Sequence, residues 1–261
     1  MNTESPVLWS VDNGVGRITL NRPQQANAVG LASSRALSAA IDAVVAATPR
    51  VVVLTGRGAR FCAGGDIGEF VADQQNMARL IDDILVPLHP ALLRLANLPA
   101  PVITAVNGPL GGAGIALALC GDIVLAADTM KLRAGYSAIG LTPDAGASWF
   151  LSRRVGASRA KEIFFLNDTL SAEDCLRLGI VNAVCPAAEL EQRTEALVER
   201  LLAGAPGAFA RIKLLCDGAE RRDLAEHLAL EKEMMVASAG SADAREGVRA
   251  FSEKRAPRFG T

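Results

Sequence analysis

One unit occurs twice in this chain of 261 residues, and it constrains the fold more than any other feature. In each copy a strand of β-branched and apolar residues ends in a glycine-rich loop, and a helix follows. The first copy runs from "VVVLTG" into "RGARFCAGGDIGEF", and the second from "PVITAVNG" through "GPLGGAG" into "IALALC". A continuous apolar strand is typical of burial on both faces of a sheet. The repeat therefore predicts an α/β fold with a mostly parallel sheet.

The segments around this unit add a hairpin and two helices. Asn13-Gly14 joins two runs of alternating polarity, which predicts a type I′ turn. The pattern over 33–47 predicts a helix, with Ser33 or Ser34 near its N-cap. A second helix is expected over about 75–97, and "DIVLAAD" predicts a third buried strand.

The last third of the chain has a different pattern. After residue 157 helical periodicity dominates, and "IVNAVC" is the one late strand candidate. We therefore expect an α/β core over 1–195 and a helical region over 196–261.

Composition excludes several classes of function. Apolar residues make up 50% of the chain and the net charge is −1, which indicates a globular protein without a basic surface for nucleic acid. The apolar runs are too short to span a bilayer, and the first residues lack the pattern of a secretory signal. Five scattered cysteines predict reduced thiols and a cytoplasmic location. With two histidines and no CxxC or HExxH motif, no metal site is expected.

The two glycine-rich loops allow two interpretations. Backbone N–H groups at a helix N-terminus have no partner within the helix, and small residues let a ligand approach them closely. Two such loops facing each other would stabilise an oxyanion. The alternative is that the glycines only permit tight turns and close packing of helix on strand.

The segment "GLTPDAGASWF" contains a single carboxylate, Asp144, among apolar and small residues. Its neighbours would raise its pKa by desolvation and make it a better base. The alternative is an N-cap for a helix beginning near Ala145, and one residue is able to serve both purposes.

Several motifs, in order and over nearly the whole chain, resemble the enoyl-CoA hydratase/isomerase (crotonase) superfamily. They are "NRPQQANA", "FCAGGDI", "AVNGPLGGAGIALALCGDI", "RLGIVNAV" and "EGVRAFSEKRAPRF". The resemblance implies a crotonase-like spiral of ββα units followed by C-terminal helices that form a homotrimer or a dimer of trimers. It also implies an acyl-CoA thioester as substrate, with coenzyme A as part of that substrate and no separate cofactor.

The resemblance also implies roles for particular residues. Ala63 and Ala113 would donate the two oxyanion hydrogen bonds. Arg22 and Gln24 would meet the adenosine phosphates, Asp66 and Ile67 would flank the adenine through their main chain, and Phe251 and Lys254 would reach the nucleotide of a neighbouring subunit. Further substrate contacts are expected at Ala26, Gly64, Gly65, Leu110, Gly112 and Tyr136, the last of which is also open to a purely structural interpretation in the core.

The acid and base groups favour one reaction within the superfamily. The two glutamates of its hydratases correspond here to Ala116 and Tyr136, whereas Asp144 lies where members that shift double bonds often have a carboxylate. The resemblance therefore favours an enoyl-CoA isomerase with Asp144 as general base. The alternatives are enoyl-CoA hydration, thioester hydrolysis or dehalogenation with Asp144 as nucleophile and His89 nearby, and an inert acyl-CoA-binding subunit.

Overall fold

The computed structural model of the chain describes residues 5–260. Its strands are β1 (Val7–Asp12), β2 (Val15–Leu20), β3 (Val51–Gly56), β4 (Val102–Val106), β5 (Leu110–Gly111), β6 (Ile123–Ala127), β7 (Lys131–Arg133), β8 (Leu170–Ser171) and β9 (Ala183–Cys185). Its α-helices are α1 (Leu31–Ala46), α2 (Ile67–Ala72), α3 (Met77–Ala96), α4 (Ala113–Leu119), α5 (Ala147–Leu166), α6 (Ala172–Arg177), α7 (Leu190–Leu202), α8 (Pro206–Gly218), α9 (Leu224–Ala239) and α10 (Ala242–Ser252).

The main sheet has six strands in the order β1-β2-β3-β4-β6-β9. β1 and β2 are antiparallel, and every later neighbouring pair is parallel. Asn13 and Gly14 have φ angles of 49° and 78°, as the predicted hairpin turn requires. The prediction of an α/β fold with a mostly parallel sheet and a helical C-terminal region is confirmed.

Helices cover both faces of this sheet. In β3, Val52 and Leu54 point into the main core, where α1, α3 and α4 pack, while Val51 and Val53 point toward Val198 of α7. All four side chains are nearly or fully buried. The continuous apolar strand in the sequence therefore follows from a sheet that has a hydrophobic layer on each side.

The topology brings both glycine-rich loops to one edge of the sheet. Since β3 and β4 are parallel neighbours, the loops that follow them leave from the same end. A second sheet, in the order β5-β7-β8, supports this edge, and Cys62 of the first loop forms an isolated bridge with Leu110 of β5. The sequence did not predict this sheet, because strands of two or three residues are too short to show a periodic pattern.

The helix predicted over 33–47 begins two residues earlier, at Leu31, and the two serines lie near its N-cap as expected. Gly30 is the N-cap, so Ser33 and Ser34 lie inside the first turn of the helix. The Ser33 hydroxyl accepts the Gly30 N–H, and the Ser34 hydroxyl donates to the carbonyl of Ile84 in α3. Both serines thus hold the start of α1 in place, but from positions within the helix. The helix expected over about 75–97 corresponds to α3.

The boundary expected at residue 195 falls inside α7. Leu197 and Val198 of this helix pack on the sheet, and Arg50 donates to the carbonyls of Leu202 and Gly204 at its end. Because one continuous helix covers the sheet up to this point, we place the change from core to C-terminal helices after Gly204. Beyond it, α9 has no buried residue.

Candidate active site

The two glycine-rich loops touch each other through their main chains. A Cβ built on Gly64 would lie 3.0 Å from the Cα of Gly112, and one built on Gly112 would lie 3.1 Å from the Cα of Gly64. Both glycines have positive φ angles, of 98° and 50°. No side chain fits between the loops, so glycine is required here by both conformation and space.

The amides in these loops differ in whether they have a partner. The Ala63 N–H donates to the carbonyl of Ala26 at 3.0 Å, so the expectation that Ala63 offers a free donor is wrong. Within residues 5–260 the Gly65 N–H has no acceptor, and its nitrogen lies 3.7 Å from where a Gly112 Cβ would be. The N–H groups of Gly65 and Ala113 both lie at this contact, and neither has an acceptor among the hydrogen bonds of the described residues.

The Ala113 amide is free because of how α4 begins. Ala113 is the first residue of the helix, and its N-cap, Gly112, has no side chain that could accept a hydrogen bond. The first N–H groups of a helix have no intrahelical acceptor, and together they create a positive potential at the helix N-terminus. All seven residues of α4 are buried, which holds this N-terminus rigidly against the first loop.

Asp144 is paired with the only tyrosine of the chain. The Tyr136 hydroxyl donates to Oδ1 of Asp144 at 2.6 Å. Among the hydrogen bonds of the described residues, Oδ2 accepts none from another residue. Tyr136 is buried, and its ring packs on Phe164 at a centroid distance of 6.1 Å.

Asp144 does not cap a helix. The N-cap of α5 is Gly146, and no side chain bonds to that helix start. The alternative role considered from the sequence is therefore wrong, and the carboxylate points toward Tyr136 instead. Burial raises the pKa of Asp144, while the hydrogen bond from Tyr136 and the proximity of His89 act in the opposite direction. Burial, together with the Asp144 charge, also raises the pKa of Tyr136, which keeps the phenol protonated as a donor.

His89, on α3, contacts the segment that holds Asp144. Its Nε2 accepts the Ala145 N–H at 3.2 Å, and Ala145 has a φ of 51°. In this hydrogen bond Nε2 is the acceptor, so that nitrogen is already in use. In this arrangement His89 fixes the backbone beside Asp144 and has no nitrogen free to act as a base.

Cys62 lies in the first glycine-rich loop, close enough to Asp144 for the charge of that carboxylate to affect its pKa. It is fully buried, and burial is the largest of the effects, the charge of Asp144 among them, that raise its pKa to about 12. A thiol with such a pKa is unreactive near neutral pH, so Cys62 fills space in the core as a small apolar residue. Its carbonyl also accepts the Gly111 N–H, which fixes the second loop.

The first loop continues into a cluster of ionic contacts. Asp66 accepts hydrogen bonds from the N–H groups of Gly68 and Glu69, so its side chain caps α2. It also pairs with Arg22 at 2.9 Å, and Arg22 donates to the carbonyl of Ala28. The sequence pointed only to a main-chain role for Asp66; the acidic residue directly before a helix was the signal that it also caps.

The other expected substrate contacts have varied positions. Gly64 lies in the first loop, Ala26 precedes α1 and accepts the Ala63 N–H of that loop, and Leu110 is buried, while Gln24 and Ile67 are exposed. Phe251 and Lys254 lie at the end of α10, and Phe251 is 88% exposed. These last two thus belong to the C-terminal helical region, outside both glycine-rich loops.

A largely apolar groove of about 990 Å³ begins beside Ala145 and His89. α3, α5 and α8 form its walls, and its apolar lining includes Leu92, Trp149, Phe150, Phe209 and Ile212. One side holds an ion pair between Lys213 and Asp122 at 2.8 Å. Burial raises the pKa of Asp122, and the adjacent ammonium opposes that shift.

The described residues contain no cluster of three metal-ligating side chains. In the same range no helix is both long and apolar enough to cross a bilayer. The site also holds the Gly65 and Ala113 amides and the half-buried carboxylate of Asp144. Together they can polarise a carbonyl and accept a proton.

Comparisons with known proteins agree with this geometry. The sequence profile described as enoyl-CoA hydratase/isomerase matches residues 10–261. The chain is 36% identical to a protein named "Probable enoyl-CoA hydratase" from Rhodobacter capsulatus and 37% identical to "1,2-epoxyphenylacetyl-CoA isomerase" from Escherichia coli, in both cases over 97% of each chain. A crystal structure described as an enoyl-CoA hydratase from Polaromonas sp. superposes with a TM-score of 0.90, at 33% identity, over 97% of this chain and 99% of that one. The chain therefore belongs to the enoyl-CoA hydratase/isomerase family of acyl-CoA-processing enzymes.

Proposed function

We propose that this enzyme shifts the double bond of an enoyl-CoA thioester, with Asp144 as the base. The observation that carries the proposal is that, among the described residues, the half-buried Asp144 carboxylate accepts from Tyr136 and has no glutamate beside it at the two positions that correspond to the hydratase pair. The positions that correspond to the hydratase glutamates hold Ala116, which is fully buried, and Tyr136, which donates to Asp144.

The thioester oxygen binds between the two loops. The free N–H groups of Gly65 and Ala113 donate to it and stabilise the negative charge that forms when a proton leaves C2. This assignment moves one of the two donors from Ala63 to Gly65, because the Ala63 N–H is already bonded to Ala26.

The proton then travels through one carboxylate. Asp144 takes it from C2 of a 3-enoyl thioester, the electrons shift to give a dienolate, and the same carboxyl group returns the proton at C4. The product is the 2-enoyl thioester, and the enzyme ends in its starting state. Burial supports this step, since a raised pKa makes the carboxylate a stronger base.

The groove beside Ala145 suits the acyl group of the substrate. It starts next to the segment that holds the base, and aromatic and aliphatic side chains line it. Hydrolysis and dehalogenation need a group that activates water, and the acceptor nitrogen of His89 is occupied by Ala145. The relative named as an epoxyphenylacetyl-CoA isomerase supports isomerisation, whereas the one named as a hydratase supports the rival reaction.

The C-terminal helices support assembly into a trimer or a dimer of trimers. On α9, Leu228, Met235 and Val236 are 54%, 71% and 65% exposed. Such apolar side chains on neighbouring turns are typical of a contact surface. We expect light scattering coupled to size-exclusion chromatography to give three or six times the chain mass at micromolar concentration; a single-chain mass would refute this assembly.

The reaction is tested with a panel of CoA thioesters in deuterated water. We expect deuterium to enter C2 or C4 of 3-enoyl-CoA substrates and the double bond to move, as read by mass spectrometry and NMR. Crotonyl-CoA should be hydrated slowly, since no carboxylate pair activates water. Hydration faster than double-bond migration would overturn the isomerase proposal and leave the family assignment intact.

A further inference from the structure

We propose that Tyr136 is a positioning residue for proton transfer: its hydroxyl holds Oδ1 of Asp144, which leaves Oδ2 as the oxygen that takes and returns the proton. This inference rests on the proposed function, because it concerns the base of that reaction. It gives Tyr136 a function of its own, at a position that corresponds to one of the hydratase glutamates.

The geometry separates the two carboxylate oxygens. Oδ1 accepts the phenol at 2.6 Å, while Oδ2 accepts no hydrogen bond from another described residue. A short hydrogen bond to an ionised acceptor is among the strong ones, and it resists rotation about the Cβ–Cγ bond. The carboxylate therefore presents the same oxygen to C2 and to C4.

The phenol itself is held in place. Its ring is buried against Phe164, and the backbone on both sides of the pair is fixed. The Gly135 N–H donates to the side chain of Asn167, and the Ala145 N–H donates to His89. Because the Tyr136 hydroxyl is already fixed, it orients the Asp144 carboxylate without a further loss of conformational entropy during the reaction.

Three titratable groups face Asp144 from the elements packed against it: Tyr136, His89 on α3 and the Cys62 thiol below the loops. The thiol pKa is about 12, and that of Tyr136 is raised further, so neither changes charge between pH 5 and 9. In that range we expect the phenol to sense the ionisation of its hydrogen-bond partner, Asp144.

Because Tyr136 is the only tyrosine, it provides a direct spectroscopic probe. Tyrosine labelled with carbon-13 at Cζ gives one protein signal, whose chemical shift follows the ionisation of the hydrogen-bonded carboxylate. We expect one step in this shift of the free enzyme at the same pH as the acidic limb of the kcat/KM profile for C2 exchange. In Asp144→Asn the step should disappear; a step that persists in that variant does not come from Asp144 and overturns the proposal.

The kinetic test uses Tyr136→Phe, with Phe164→Leu as the matched control. Loss of the hydroxyl removes an interaction that lowers the pKa of Asp144, so the acidic limb should move to higher pH. We expect kcat on the plateau to fall about tenfold to a hundredfold with KM changed less than twofold, the usual effect of losing a hydrogen bond to a charged group. The Phe164→Leu variant loosens the packing of the Tyr136 ring but keeps the hydroxyl. The acidic limb of its pH profile should therefore lie at the same pH as in the wild type.

The outcomes separate this inference from the proposed function. If Tyr136→Phe keeps both the pH of the acidic limb and the plateau kcat of the wild type, or either of them, the role of Tyr136 is overturned. This holds provided that the melting curve of the variant shows a folded protein. If Asp144→Asn keeps full C2 exchange, Asp144 is not the base and the proposed function itself fails. If Asp144→Asn loses exchange while Tyr136→Phe behaves like the wild type, only the positioning role is lost.

Discussion

Two regions meet at the site and contribute different kinds of chemical group. The glycine-rich loops contribute main-chain N–H groups, those of Gly65 and Ala113, and no reactive side chain. The segment over 136–147 contributes side chains, Tyr136 and Asp144, and its backbone serves to hold them. Thioester binding should therefore tolerate changes of side-chain chemistry but not an added Cβ in the loops, whereas proton transfer depends on one carboxylate.

The strongest test of this division removes the carboxylate and leaves the loops untouched. In Asp144→Asn, C2 exchange should slow by about 10²–10⁴, the usual contribution of a positioned general base. Affinity for a saturated acyl-CoA should stay within about twofold, because the Gly65 and Ala113 amides do not change. Isothermal titration calorimetry and deuterium exchange on the same preparation measure both quantities. If affinity falls as steeply as exchange, the two regions do not have separate roles.

The next test disturbs the loops and leaves the carboxylate in place. In Gly112→Ala the new Cβ would lie 3.1 Å from the Cα of Gly64, at a φ of 50°. Displacing the two amides should lower kcat by about 10²–10³, as for the loss of an oxyanion donor. A single-turnover measurement of C2 exchange checks this value.

Gly156→Ala is the matched control for that variant. Gly156 also has a left-handed conformation, with φ 76° and ψ 156°, but a Cβ there has open space around it. It should therefore destabilise the fold by about 1–3 kcal/mol through backbone strain alone and keep its kcat. Equal losses of kcat in the two variants would show that strain, not contact between the loops, explains the effect.

A smaller effect is expected where the first loop meets α2. Asp66→Ala removes both the cap and the partner of Arg22, and should lower the free energy of unfolding by about 1–2 kcal/mol. Asp66→Asn keeps an acceptor for the Gly68 and Glu69 amides, so most of that loss should be restored. Urea unfolding compares the two variants. An Asn variant as unstable as the Ala variant would assign the effect to the ion pair.

The smallest expected effect is a gain in stability. Because burial raises the pKa of Asp144 above its unfolded value, the fold favours the protonated form, and this contribution is lost as pH rises through the folded pKa. Asp144→Asn avoids that loss, so at neutral pH its melting temperature should exceed that of the wild type. The difference should shrink as pH falls through the raised pKa. A lower melting temperature at neutral pH would show that the charged carboxylate is stabilised overall.

The sequence by itself determined that the sheet has strands buried on both faces and that glycine-rich loops follow two of them. Runs such as "VVVLTG" are long and apolar enough to specify strands buried on both faces, and glycine after each run specifies a loop without side chains. Parallel order then requires both loops to lie at one edge. The absence of both hydratase glutamates at Ala116 and Tyr136 was also visible in the chain itself.

Only the tertiary structure decided which groups at that edge are available. The Ala63 N–H is bonded to Ala26, Asp144 accepts from Tyr136 instead of capping a helix, and the acceptor nitrogen of His89 is bonded to Ala145. Each of these contacts joins residues of separate segments or depends on the turn between them, and local propensity contains no information about such partners. The physical reason is that a hydrogen bond is fixed by distance and angle in three dimensions, whereas a sequence pattern reports burial and local conformation.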